Sequence, residues 1–393
     1  MDRLKSFPLS LAVFFALLGF LLANWIVRIP DFKAQVSASP GLLGFALLGN
    51  SLGALLAMTG AGRLCVRFGT HRVIVIGAAA TSLAVILPSL AHSVLALGAS
   101  FVLVGAVHGS TEVGLNSAAV EVEATIGRSI MSPLHGLFSL GALIGSLTGA
   151  GFSAAFGPFG HLVIVSVLSL ACTAATGPFL LRDHVRWNQH GLTVAGPAPA
   201  RIPHRPLVVL LGIVALCTAY GEGSIGDWGA VHLHDGLGAG VTVAAYGYAA
   251  YSVAITAARL WGSWLRARLG ETGLLVGGSL LACGGILLAA WTGSIGVAML
   301  GYVAVGFGLA NGFPITIARA GAIGGARAVA AASTLGLSGM LMGPPVIGFV
   351  ADRSSLPAGL SSVAVLCGIA AVLAVSLRSR AAVRPEVDAT AAR

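Results

Sequence analysis

The sequence predicts an all-α membrane protein: twelve transmembrane helices in two pseudo-symmetric six-helix bundles. Three observations carry this expectation. Hydrophobic residues make up 56% of the 393-residue chain and charged residues only 9%, far below the roughly 25% of soluble domains. The apolar residues gather into segments about 20 residues long, the length that crosses a bilayer core. With twelve such spans, 18 of the 22 Lys and Arg residues fall on one side, Arg28, Lys33 and Arg353 on the other, and Arg259 inside a span. Cytoplasmic loops collect Lys and Arg, so this asymmetry fixes span number and orientation together. One span more or fewer would flip every later loop and scramble the count. The expected location is therefore the plasma (inner) membrane, multi-pass, with both termini cytoplasmic.

In chain order the spans are 7–29, 41–61, 72–91, 94–118, 133–156, 159–181, 207–232, 242–262, 272–292, 295–318, 329–351 and 357–378. Each must be a helix, because backbone groups in lipid need partners within their own segment. The first apolar stretch is followed by Asn24-Trp25 and Arg28 with no small-residue cleavage site, so it reads as a span and not as a cleaved signal. The stretch 182–206 holds Arg182, Arg186, Pro197, Pro199, Pro203 and Pro206, too polar and proline-rich to cross. It divides the chain into an N-terminal bundle (1–181), a cytoplasmic linker (182–206) and a C-terminal bundle (207–378). The remaining 379–393 reads as a disordered cytoplasmic tail.

The net charge of +9 does not point to nucleic acid, whose binders gather bases on one face or tail. Here the bases punctuate apolar segments. The five cysteines form no close pair, so neither a disulfide framework nor a metal site is expected, and no cofactor is implied.

The halves resemble each other. Asn24-Trp25 matches Asp227-Trp228, Arg67-Phe68-Gly69 matches Arg268-Leu269-Gly270, and Ser139-Leu140-Gly141 matches Thr334-Leu335-Gly336, at offsets of 203, 201 and 195 residues. Two parallel six-helix repeats are a transporter architecture with its site between the halves. Glycine stripes, Gly141, Gly145 and Gly149 in span 5 and Gly339 and Gly343 in span 11, allow close helix approach. They serve static packing or a smooth surface on which two bundles rock.

The loop Gly62-Arg63-Leu64-Cys65-Val66-Arg67-Phe68-Gly69-Thr70-His71-Arg72 resembles the loop signature of the major facilitator superfamily, with Val66 where the family carries an aspartate. In the family that aspartate helps lock the halves on the cytoplasmic side, so its role here is absent or moved. Trp25-Ile26-Val27-Arg28-Ile29-Pro30, the Gly226-Asp227-Trp228 turn and Gly343-Pro344-Pro345 extend the resemblance to the MosC-like membrane proteins, distant relatives of fucose permeases. The resemblance implies a central cavity lined mainly by spans 1, 4, 7 and 10. It also implies gate or conformational roles for Gly62, Arg67, Gly69, Gly343 and Pro344.

Those cavity spans hold most of the polar groups within the membrane. Span 4 carries His108, Glu112 and Asn116 at successive i+4 steps, a single stripe that reaches Glu123 when extended. A carboxylate is costly facing lipid, so Glu112 should face the cavity or a partner. It reads as a protonatable site, with His108 exchanging its proton or bonding substrate, against a structural hydrogen bond to a neighbouring helix. Asn116 is divided between substrate contact and interhelical glue. Glu222 in span 7 is the second candidate; Gly221, Gly223, Gly226 and Gly229 around it suggest a broken helix. Asp227 near the outer end is a gate or substrate contact, and Arg28 is its expected partner, because the repeat places the two at comparable depth. Arg259 either pairs with a carboxylate or, the favoured reading, snorkels its long stem to the cytoplasmic surface. Asn311 and Pro314 lie in span 10, where the proline frees a backbone carbonyl and is expected to bend the helix. Trp25 and Trp228 read as interfacial anchors, or as rings that stack on a sugar. His135 reads only as a polar helix end.

The function these residues support is secondary active transport of a small polar solute, sugar- or cyclitol-like, by alternating access and coupled to protons. No Gly-x-x-x-x-Gly-Lys-Ser/Thr run is present, so ATP drive would need another protein. The first alternative is a proton-driven exporter of a drug or biosynthetic product. Antiporters of the resembled family carry a Gly-Pro in a glycine-rich span 5, whereas Gly145-Ser146-Leu147-Thr148-Gly149-Ala150-Gly151 has no proline. A receptor or scaffold would carry an added soluble domain, and no nucleophile–base spacing suggests an enzyme. Expected partners are the small-molecule substrate, protons and the lipid bilayer, with no nucleic acid, for a chain acting as a monomer.

Overall fold

The computed structural model describes residues 8–126, 130–187 and 205–380. The helices are α1 (Leu9–Ile26), α2 (Ile29–Gln35), α3 (Pro40–Phe68), α4 (Thr70–Ala84), α5 (Val94–Ile126), α6 (Met131–Ala155) and α7 (Pro158–Trp187). The second half follows with α8 (Arg205–Val231), α9 (Val241–Leu260), α10 (Gly262–Trp291), α11 (Ile295–Leu309), α12 (Gly312–Arg353) and α13 (Leu356–Arg380). Among the described residues there is no strand. Twelve segments are long and apolar enough to cross a membrane. They form two six-helix bundles, α1–α7 and α8–α13.

Local chemistry sets the ends. The Ser39 hydroxyl accepts the Leu42 N–H at 3.3 Å, and Pro40 opens α3 without losing a bonded N–H. Gly69 (φ 88) separates α3 from α4, and Gly270 (φ 69) bends α10 at the matching place in the second half, a backbone conformation that a Cβ disfavours. Span 10 covers Ile295–Gly325 but is broken between α11 and α12, at Ala310 and Asn311. Non-helical Gly324 and Gly325 then divide it from span 11 within α12.

The glycine stripes pack helices inside each bundle, which excludes the rocking-surface reading. A Cβ on Gly141 would lie 1.9 Å from Ala16 O, and one on Gly145 would lie 2.5 Å from Phe20 O, both on α1. Gly339 meets Leu216 O of α8 in the same way. The bundles meet along α3 and α12 and along α6 and α9. At the end away from the arginine-rich loops, Lys33 pairs with Asp235, Ser39 Oγ donates to Asp352 at 3.0 Å, and the Ser153 and Thr242 hydroxyls lie 3.2 Å apart. The last two contacts join matching elements, span 11 to span 2 and span 5 to span 8.

Several boundaries differ from the sequence expectation: α3 continues past 61 to Phe68, α5 past 118 to Ile126, and α10 begins at Gly262, ahead of 272. Helix α7 runs on to Trp187 and α13 to Arg380, because polar helix formers continue a helix past the point where hydropathy falls. The rest of the linker (188–204) and of the tail (381–393), including the expected disorder, lies outside the described residues.

Candidate substrate and proton pathway

Helix α5 presents His108, Glu112 and Asn116 on one face, all half-buried. Its other face is used up locally: Thr111 donates to Val107 O at 2.7 Å and lies 3.5 Å from the Thr81 hydroxyl of α4. Among the described residues no hydrogen bond or ion pair holds His108 or Glu112, and Asn116 Oδ1 is buried without a partner. Glu123 leaves this stripe. Its Oε1 accepts the N–H groups of Ile130 and Met131 at 2.6 and 2.8 Å, capping α6.

The second bundle holds a cluster of its own. Arg259 of α9 donates to Glu222 Oε2 of α8 at 2.8 Å, and its Nε donates to Ala310 O at 3.2 Å. The favoured snorkelling of Arg259 is therefore corrected: its guanidinium, on a side chain still 34% exposed, is taken up by a carboxylate and a free carbonyl. Glu222 Oε1 is buried and unpartnered. Asn311, expected along the substrate path, instead donates to Ala258 O at 3.1 Å, and its Oδ1 lies against Gly262. The expected break around Glu222 is absent. Helix α8 is continuous through Gly221, Gly223, Gly226 and Gly229, which serve packing, and the break lies in span 10. Asp227 is half-buried beside Tyr248 and has no partner among the described residues. His135, unexplained from sequence, packs edge-on to Phe15 and lies within electrostatic reach of Arg259 across the bundles.

Arg28 does not pair with Asp227. It is 1% exposed and its donors are taken within the first bundle: Nε by His161 Nδ1 at 2.8 Å, one terminal nitrogen by Asp31 at 3.1 Å, and the other by the carbonyls of Phe156 (2.7 Å) and Phe152 (3.3 Å). Because His161 Nδ1 accepts, the ring carries its proton on Nε2, which donates to Asn24 Oδ1 at 2.8 Å. Sequence reading missed His161, since nothing local in it shows that the start of α7 faces the end of α1. The second bundle has its own histidine contact, His232 Nδ1 to Tyr302 OH at 2.8 Å.

Trp25 and Trp228 are 1% and 0% exposed, with both indole nitrogens buried and unpartnered. They are core residues beneath the closed end and not interfacial anchors, and Trp25 packs on Phe101 at 5.1 Å. In the arginine-rich loop Arg67 lies over the Phe68 ring, Gly69 makes the turn, Gly62 faces open space, and Val66 is 90% exposed. Acids nearby stand at other positions. Thr70 donates to Glu121 at 3.2 Å, and in the matching loop Glu271 pairs with Arg266 at 3.0 Å and Arg319 at 3.7 Å. Gly343 packs near Ser224 of α8. The Pro344 carbonyl presses on Gly44 of the other bundle, where a Cβ would come within 2.4 Å.

Among the described residues, Glu112 and Asp227 thus stand without a base and Glu222 stands with one. The family model described as Major Facilitator Superfamily matches residues 9–323. An uncharacterized MFS-type transporter of Yersinia pestis is 33% identical over 381 residues, 95% of this chain and 94% of that one. Membrane protein MosC of Rhizobium meliloti is 29% identical over 355 residues, 88% and 84% of the two chains. A bacterial homolog of the human lysosomal transporter Spinster shares the fold, with a TM-score of 0.73 at 14% identity over 96% of this chain and 98% of that one. With twelve spans in two repeats and a family match over most of its length, the chain belongs to the major facilitator superfamily of transporters.

Proposed function

We propose that this secondary transporter couples movement of a small polar solute, sugar- or cyclitol-like, to protons, with Glu112 carrying the coupling proton. The observation that supports this most directly is Glu112 itself: a carboxylate midway along a transmembrane helix, half-buried, with no partner among the described residues. Such a group stays in the interior only if a proton or a ligand neutralises it for part of the cycle. His108 one turn away and Asp227 of the second bundle are the further polar candidates. Each proton driven inward contributes about 2.3 kcal/mol per 100 mV, enough for roughly fiftyfold accumulation. The placement that goes with this reading is the plasma membrane, with the arginine-rich end and both termini cytoplasmic and the chain acting as a monomer. Residues 1–181 and 207–378 then move as the two bodies.

The test is uptake into proteoliposomes under an imposed pH gradient, with a panel of sugars and cyclitols followed by mass spectrometry. Accumulation of a panel member is expected for the unaltered protein. Glu112→Gln should lose accumulation while keeping exchange of the same solute between equal concentrations. Gradient-driven accumulation that survives Glu112→Gln would remove Glu112 from the coupling path.

A further inference from the structure

Span 10 breaks where its own proline requires another donor. Pro314 has no N–H, so the carbonyl four residues earlier, that of Ala310, has no intrahelical donor. In the structure Arg259 Nε supplies the missing donor at 3.2 Å, and Asn311, next to Ala310, returns a bond from its side chain to Ala258 O at 3.1 Å. Residues 258–259 of α9 and 310–311 of span 10 are thus stapled reciprocally. The same guanidinium reaches Glu222 on α8 at 2.8 Å, whose other oxygen is buried and unpartnered. One side chain therefore joins an acid on one cavity helix to the break in another.

We infer that Arg259 is a positioning residue that transmits the charge state of Glu222 to the break at Ala310–Asn311. The inference rests on the proton-coupled reading above and adds the part that moves. When Glu222 is ionised, its charge fixes the guanidinium, and the guanidinium holds the break. When Oε1 takes a proton, Arg259 stays charged and loses its counter-ion. Arg259 lies in the last turn of α9, so its stem can swing to the arginine-rich end and seek water. Ala310 O then has no donor and the bend in span 10 is released. The other titratable groups around Arg259 are Tyr248 and Tyr251 on its own helix, His135 from α6, and Asp227 beside Tyr248. Among the described residues none of these donates to Ala310 O.

Hydrogen–deuterium exchange of the full chain in lipid nanodiscs tests this without knowledge of the solute. Glu222→Gln, which mimics the protonated acid, is expected to speed exchange across 305–318 roughly ten- to hundredfold, the loss of one charge-assisted bond. In an Arg259→Lys background, where one ammonium cannot hold both partners, Glu222→Gln should add nothing further. Pro314→Ala restores the amide that takes Ala310 O, and should likewise make exchange at 305–318 insensitive to Glu222→Gln. Unchanged exchange in Glu222→Gln, or an equal increase in the Arg259→Lys or Pro314→Ala background, would overturn the inference. If exchange responds as described while proteoliposomes accumulate no solute, the proton-coupled reading falls and the transmission through Arg259 stands.

Discussion

His161→Phe isolates the buried network at the end of the first bundle. The substitution keeps an aromatic ring where His161 packs edge-on to Phe152, with centroids 5.4 Å apart, and removes both ring nitrogens. Arg28 Nε then loses its acceptor and Asn24 Oδ1 its donor, each lost from a bond of 2.8 Å between buried groups. Loss of a bond to a charged group costs about 1.5–3 kcal/mol, and an orphaned neutral acceptor roughly another 1–3, so a destabilisation of about 3–5 kcal/mol is expected. For a bundle of this size that corresponds to a fall in unfolding midpoint of roughly 10 °C. Cys65, Cys217 and Cys367 are buried and free, so a thiol-reactive dye reports the transition in detergent. In the double variant with Arg28→Met the charge left unpaired by His161→Phe is gone, and the two losses should fall short of additive by about 1–3 kcal/mol. A midpoint within about 2 °C of the parent, or strict additivity in the double variant, would refute the network as described.

Three further expectations follow from close approaches and backbone angles. Gly141→Leu should abolish folded protein in a size-exclusion assay, since a Cβ there would lie 1.9 Å from Ala16 O, whereas Gly62→Ala, facing open space, should be neutral. Gly270→Ala, at φ 69, should cost about 1–2 kcal/mol, read as a lower unfolding midpoint with the helical content retained. Ser153→Cys with Thr242→Cys should cross-link readily, because the parent hydroxyls lie 3.2 Å apart; adding Asp352→Asn, which weakens the neighbouring Ser39 contact, should slow cross-linking roughly three- to tenfold.

What could be read from the chain and what could not divide along physical lines. Span length and the Gly69/Gly270 repeat are local properties, so apolar runs and a matched loop were sufficient. The partner of Arg28 was not legible: His161 is 133 residues away, and no pattern in either segment says which helix ends meet. The acid Glu222 and the base Arg259 were each visible, but their pairing needed the mutual rotation of α8 and α9. A broken helix was expected at the glycines of span 7 and a bend at Pro314 of span 10, and only the second occurs. Glycines packed against neighbours such as Leu309 leave α8 continuous, while Pro314 removes a donor outright. The informative signal was the proline and the residue four positions before it.

The polar contacts that join the bundles at the end away from the arginine-rich loops are weak. Lys33 and Asp235 keep side-chain exposures of 19% and 33%, and a pair so wet contributes about 0.2–1 kcal/mol. The Ser39–Asp352 bond adds roughly 1.5–3 and the Ser153–Thr242 contact about 0.5–1.5 kcal/mol, for a polar total of about 2–5. Inverting a 1:99 equilibrium takes about 5.5 kcal/mol, and one proton falling through 100 mV supplies about 2.3. A polar seam of this strength favours one state yet stays reversible at the energy that one or two protons would supply under the proposed coupling. By contrast, the Arg28–His161 network lies wholly inside one bundle, at the same end, where several buried bonds converge. Buried polar bonds within a bundle and wet, replaceable polar bonds between bundles suit rigid-body motion of the halves.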